Sequence, residues 1–377
     1  MFQVLREEMR LIQHAARFVK FALYLLAAAL CGCSNPGNTD TILMNDILET
    51  REFVSRIDSI SVVPLQNNPS DLVGSMVELL SDSDSYYVID NRNKKILRYS
   101  LDGHFLNGIG HRGRSQSEYV TIQNVQINDD TVRVYSEPDK INKYLRNGEF
   151  ISSQTIEGLG EQTFFDGENY MTYYGYQAVR GYRFAGFAGK KKDYHSLKIV
   201  GKVLPFTSDE PIFSQGDNRI IMRDSFGCDL YQVTASGCEP YVRFDFKKYS
   251  IPESFFTATD YFEGAEQLLN STFAHISRYV ESGKYAVVSV IIQSPKGASF
   301  VYGIRDDDQW KWYFMGEPHS QPLSGSFRLI QNNCMVYIIE ASRMNDIPDA
   351  VKGKITSGLY GHNVENCDYV IAKVYLR

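Results

Sequence analysis

Two short stretches carry the side chains best suited to hold a ligand. In the first, His111-Arg112-Gly113-Arg114 is followed closely by Glu118-Tyr119. Arg112 and Arg114 could donate pairs of hydrogen bonds to an anion. The alternative is that Glu118 pairs with an arginine and simply fixes the loop. In the second, Gln309-Trp310-Lys311-Trp312-Tyr313 puts Trp310 and Trp312 on one face of a strand, because strand side chains alternate. Exposed, the two rings could stack on sugars; buried, they would be core between sheets. The candidate ligand-binding residues are therefore Arg112, Arg114, Glu118, Tyr119, Trp310 and Trp312.

Other patterns argue against catalysis and metal binding. Gly108-x-Gly110-x-x-Gly113 has the spacing of a dinucleotide fingerprint. That fingerprint needs a strand before it and a helix N-terminus after it to hold the pyrophosphate. Here a polar loop follows, so the glycines read as a turn between repeats. The seven histidines are scattered, none at ligand spacing from another, and no Gly-x-Ser-x-Gly, His-Glu-x-x-His or P-loop occurs. No catalytic residue, metal or cofactor is expected. Cys228, Cys238, Cys334 and Cys367 form no Cys-x-x-Cys pair. Free buried thiols are the expectation, with Cys334 and Cys367 the pair that could meet.

At the N-terminus, Arg10, Arg17 and Lys20 precede an apolar run, 21–30, of signal-peptide length. Leu30-Cys31-Gly32-Cys33 then has the form of a lipobox. Residues 1–32 read as a lipoprotein signal peptide, Cys33 as the lipid attachment site and 33–54 as a tether. The chain would reach a membrane through this lipid, in the cell envelope at the outer membrane, facing either side.

The elements that position these side chains announce themselves by repetition. Ile96-x-x-Tyr99-x-x-x-Gly103 returns 45 residues later as Ile141-x-x-Tyr144-x-x-x-Gly148, and more weakly as Leu230-x-x-Val233-x-x-x-Gly237. A period in the 40s on strand-rich sequence marks a β-propeller, one four-stranded blade per repeat. Asp102-Gly103 and Asn147-Gly148 suggest two-residue hairpin turns with positive φ. The 25 Tyr and 22 Phe also favour strands. Six blades fill 55–377, an all-β fold. The stretch 251–282 reads as a helical insertion between blades four and five, since Phe262, Ala265, Leu268, Leu269, Phe273 and Ile276 recur at helical steps. A strand at 57–65 and another at 368–376 are the pair expected to close the ring. A net charge of −6 argues against a nucleic-acid partner.

The run Tyr87-Val88-Ile89-Asp90, Ile96-x-x-Tyr99-x-x-Asp102-Gly103-x-Phe105-Leu106, Gly108-Ile109-Gly110-x-x-Gly113 and Ser117-Glu118-Tyr119 resembles the six-bladed β-propeller lipoproteins of Gram-negative envelopes, relatives of the NHL-repeat propellers. Gln116-Ser117 stands where that family has Gly-Pro. The resemblance implies an envelope-anchored, non-enzymatic propeller that binds or scaffolds, with a glycan or an envelope protein as partner. The competing class is a lyase or hydrolase working at the central channel. Convergent His, Asp, Glu or Arg at the channel would favour catalysis; a plugged or apolar channel would favour binding.

Overall fold

The computed structural model describes residues 40–44 and 51–377, apart from 69–71, 75–76, 129, 137–138, 157–159, 167–168, 176–180, 189–190, 199–209, 217–218, 236, 253–254, 256–260, 307–308, 317–322, 324–326, 332, 348 and 358–366. The expected signal peptide and Cys33 lie outside the described residues.

The chain opens with three strands, β1 (Asp40–Leu43), β2 (Arg51–Glu52) and β3 (Ile57–Pro64). Blade 1 is β4 (Val77–Ser81), β5 (Ser85–Asp90), β6 (Lys95–Ser100) and β7 (Phe105–Gly108). Blade 2 is β8 (Asn124–Asn128), β9 (Thr131–Ser136), β10 (Lys140–Leu145) and β11 (Phe150–Thr155). Blade 3 is β12 (Gln162–Asp166), β13 (Asn169–Tyr173), β14 (Tyr182–Ala188) and β15 (Lys191–Lys198). Blade 4 is β16 (Phe213–Gln215), β17 (Ile220–Arg223), β18 (Asp229–Thr234) and β19 (Gly237–Asp245). Helix α1 (Tyr261–Asn270) leads to blade 5: β20 (Phe273–Ser282), β21 (Tyr285–Ser294), β22 (Gly297–Asp306) and β23 (Gln309–Gly316). Blade 6 begins with β24 (Leu329–Gln331) and β25 (Cys334–Glu340). After α2 (Asp349–Lys352) come β26 (Ile355–Ser357) and β27 (Tyr369–Leu376). This is an all-β six-bladed propeller.

Blade 6 closes the ring with both ends of the chain. Its order is β24-β25-β27-β3-β26, and β27 pairs antiparallel with β3 from Val370↔Pro64 to Leu376↔Ile57. The expected closure between 57–65 and 368–376 is therefore present. Three blades carry a fifth strand on the outside: β1 on β19, β2 parallel to β23, and β26 parallel to β3. A bare outer strand leaves backbone donors and acceptors unpaired, and these additions satisfy them.

The repeat has a physical meaning. Tyr99 and Tyr144 are each 1% exposed and each packs edge-on against the aromatic that follows the turn, Phe105 at 5.7 Å and Phe150 at 5.8 Å. Gly103 (φ 92°) and Gly148 (φ 90°) lie where a Cβ would sit 2.1 Å from Pro64 O and 2.4 Å from Gly108 O, backbone of the preceding blade. Any side chain there would push two blades apart.

Several expectations need correction. The turns are closed by Gly103 N donating to Ser100 O and Gly148 N to Leu145 O, with four residues between the strands. Only the glycines take positive φ; Asn147 instead accepts from Glu149 N at 3.0 Å. The helical insertion shrinks to Tyr261–Asn270 within the described residues, because Phe273–Ser282 is strand β20. β20 is buried on both faces at Phe273, Ala274 and Ile276, so the three-residue step from Phe273 to Ile276 resembled helical spacing in the sequence. Asp40–Leu43 and Arg51–Glu52, expected within the tether 33–54, are strands paired with the propeller blades. Cys228, Cys238, Cys334 and Cys367 form no disulfide among the described residues. Cys334 pairs opposite Tyr375 while Cys367 lies just before Tyr369, so the length of β27 separates them.

Candidate functional site

The innermost strands β4, β8, β12, β16, β20 and β24 surround a cavity of about 480 Å³, within the range of small-molecule pockets. Four of these strands place a polar residue and, two positions on, an apolar one along the cavity: Glu78 and Leu80, Gln162 and Phe164, Arg278 and Val280, and Arg328, just before β24, and Ile330. Period-two alternation on strands of one direction stacks these into a polar level and an apolar level. Ser81, Gln215, Ser282 and Gln331, the last residues of their strands, line it at the far end, where Gln215 and Gln331 are exposed.

The polar level is an ion-pair cluster. Arg278 donates from Nη1 and Nη2 to the Glu78 carboxylate at 3.1 and 2.6 Å, from Nη2 to Glu210 at 2.9 Å, and from Nη1 to Arg328 O at 3.3 Å. Glu78 belongs to blade 1 and Glu210 enters blade 4. In a six-membered ring these blades are opposite, so the Arg278 guanidinium lies across the channel axis. Its side chain is 5% exposed. Arg328 adds a contact to Glu78 at 3.7 Å. Arg223, fully buried, is held by carbonyls of Glu210, Pro211 and Ile276. Burial alone would raise the Glu210 pKa, but Arg278, Arg328 and Arg223 outweigh it and leave it lowered. Burial likewise opposes the charge of Arg278, and Glu78 and Glu210 more than offset it. The charged groups thus converge on the axis and plug it with their own pairing.

Amide side chains tie the remaining inner strands. Gln126 donates to Phe165 O at 2.6 Å and accepts from Phe165 N at 2.8 Å, joining blades 2 and 3. Gln162 does the same to Glu210 O at 3.0 Å and Ile212 N at 2.7 Å, joining blades 3 and 4. These paired amide bonds fasten the inner strands of blades 2, 3 and 4 to one another along the cavity wall.

The candidates read from sequence lie elsewhere. The loop of Arg112, Arg114, Glu118 and Tyr119 joins β7 to the start of β8, so it belongs to the face where inner strands begin. Ser81, Gln215, Ser282 and Gln331 mark the opposite face. Arg112 and Arg114 are exposed. Glu118 takes its hydrogen bonds from the Ser115 amide (2.7 Å) and His111 (3.0 Å), not from an arginine, and these hold its carboxyl below the usual range. Lys140, Asn142 and Tyr144 donate to carbonyls of Ser115, Ser117 and Glu118, fastening the loop to β10. Tyr119 is corrected: it is 1% exposed and its hydroxyl donates to Ile109 O, which makes it a core residue. Gly110 has φ 58° and serves the turn between blades, as the sequence indicated.

Trp310 and Trp312 do share a face, both edge-on to Phe244 at 5.3 and 6.0 Å. They form core between blades 4 and 5. Trp312 takes the buried alternative, being 4% exposed with its Nε1 donating to Leu43 O at 3.1 Å.

Glu78, Glu210, Arg278 and Arg328 escaped the sequence reading because they are up to 250 positions apart. Arg278 also sits in the stretch read as helix. The available signal was a charge placed inside an otherwise apolar strand, Ile276 to Val280. Among the described residues no group of three or more His, Cys, Asp or Glu could hold a metal.

A family model described as "Domain of unknown function (DUF4934)" matches residues 39–356. A search of the curated proteins gives no match. Among solved structures, a Bacteroides fragilis protein provisionally described as exported shares 15% identity, covering 90% of this chain and 100% of its own, with a TM-score of 0.72. A DUF4221-family member from Bacteroides vulgatus shares 8% identity over 85% of this chain and 97% of its own, with a TM-score of 0.54. At such identities the likeness is one of fold.

Proposed function

We propose a binding role for this chain, which belongs to the DUF4934 family, a domain of unknown function: an envelope lipoprotein that holds part of a glycan in its propeller channel. The observation that carries the reading is the cavity lined from all six inner strands, with a polar and an apolar level. Sugars present hydroxyls on their edges and C–H groups on their faces, and two such levels suit both. The convergent carboxylates are committed to arginines. A general acid would need a carboxyl pKa raised toward neutrality, whereas that of Glu210 is lowered. This weighs against the lyase or hydrolase alternative.

Anchoring through acyl chains on Cys33 is supported by Leu30-Cys31-Gly32-Cys33 after a short apolar run. No described helix is long and apolar enough to cross a membrane. Arg112 and Arg114, exposed on the opposite face, would serve a second partner such as an envelope protein.

The test is a thermal-shift screen of the full chain in detergent against oligosaccharides, peptides and divalent ions. Binding to the native state raises the melting temperature by mass action. A rise is expected with one class of oligosaccharide, and it should vanish in Gln215→Trp, which narrows the cavity end. Binding that survives Gln215→Trp, or no rise with any sugar, would overturn the channel reading and direct the search to a protein partner.

A further inference from the structure

We propose that the outer edge of blade 4 rests on an anionic phospholipid surface, so that the propeller stands on its rim with both ends of the channel facing sideways. The proposal rests on the reading of Cys33 as the lipid attachment site.

Reach comes first. β1 begins at Asp40, seven residues beyond Cys33, and seven residues span at most about 25 Å. A five-stranded blade measures about 19 Å from first to last strand at the usual strand spacing, so the ring is at least about 40 Å wide. A tether shorter than the ring fastens one rim near the bilayer, and β1 names that rim. It is the added outermost strand of blade 4. Blade 1, on the opposite side, points away.

The composition of the edge fits a headgroup layer. Leu43 on β1 is 55% exposed. The next residue, Met44, donates its N–H to Asp245 O at 3.0 Å, which brings the turn Lys247–Tyr249 alongside. Lys247 and Lys248 are exposed, and the Lys248 ammonium lies 5.1 Å from the centre of the Tyr249 ring. Of the neighbouring charges, Arg243 and Asp229 pair with each other at 2.6 Å, and Asp245 accepts from the Lys247 amide. An apolar side chain, an amphipathic ring and two long cationic stems can insert at the interface while the ammonium groups stay with phosphate.

The chain carries its own reporter. Trp310 and Trp312 are its two tryptophans, and Trp312 is hydrogen-bonded to β1. The full chain would be reconstituted on phosphatidylglycerol vesicles containing a dansyl lipid, and energy transfer from tryptophan measured. A Gly/Ser linker of about 20 residues inserted between Thr39 and Asp40 removes the constraint of the short tether. Transfer should persist with this linker, because the edge itself holds the surface. It should fall several-fold when Leu43→Ser, Lys247→Glu and Lys248→Glu are added, with vesicle attachment and melting curve unchanged. Loss of transfer on linker insertion alone, or no loss on adding the three substitutions, would overturn the docking. If the native chain fails to float with vesicles, or Cys33→Ser floats as well as the native chain, the anchor reading itself falls, and the docking proposal with it.

Discussion

His275 shows how a single side chain registers its surroundings. The ring lies between Phe226 and Phe273, its Nδ1 is buried without a hydrogen bond, and burial, with Arg223 adding to it, lowers its pKa to about 4. Glu210 acts in the other direction, more weakly. A depressed pKa means that the unfolded chain takes up this proton before the native one does. The corresponding stability is present above about pH 6.5 and is lost as the pH falls toward about 4, at most about 3 kcal/mol. His275→Phe should therefore shrink the difference between urea midpoints measured at pH 7 and pH 4.5. An undiminished difference would assign the acid sensitivity to carboxylates instead. At this scale the sequence was informative about local roles and blind to distant partners. The sequence offered an arginine as the partner that would let Glu118 fix its loop, and nothing in it distinguished His111 and the Ser115 amide, which take that place. For Trp310 and Trp312 the sequence left a stacking platform and a core between sheets both open, and only the packing of neighbouring blades decided for core.

Among the elements, the terminal strand matters more than its position suggests. β27 is interior to blade 6, between β25 and β3, and most of its side chains are buried. Removing residues 369–377 should abolish soluble expression or the cooperative melt; a truncated protein with a native melting curve would contradict this. The strap strand β1 contributes through Met44, which is 2% exposed in the core shared by blades 4 and 5. Met44→Ala should cost about 2–5 kcal/mol, read from urea unfolding. A change within experimental error would mean that the strap is dispensable. Strand positions in blades 1 and 2 were legible because turn glycine, inward tyrosine and facing aromatic all recur at one spacing. Blade 3 carries no such glycine signature, and Tyr and Phe content alone located it. The end of the helix before blade 5 was misread because β20 is buried on both faces, so that Phe273 and Ile276, three apart, imitate a helical step.

For the whole molecule, the Arg278 cluster is the decisive feature. It links blade 1 to blade 4 across the axis and contacts blade 6 as well. Arg278→Met would leave Glu78 and Glu210 facing one another without their shared cation, at a cost of about 3–5 kcal/mol. Replacing Glu78 and Glu210 by Leu as well should recover most of that loss in urea unfolding. If the single substitution is silent, the plug adds nothing to ring stability. A triple variant that remains as unstable as the single one would show that the site requires charge.

By itself the sequence determined the architecture. A 45-residue period fixes a blade as the unit, the number of such units fills the chain, and apolar strands at the two ends can bury themselves only against each other. Those are properties of periodicity and burial, which lie along the chain. The tertiary structure alone decided which charges meet. Glu78, Glu210, Arg278 and Arg328 come from four places in the chain and become neighbours because ring closure brings six inner strands to one axis. Their pairing, the depressed pKa of Glu210 and the shape of the cavity between them follow from distances that no local pattern encodes.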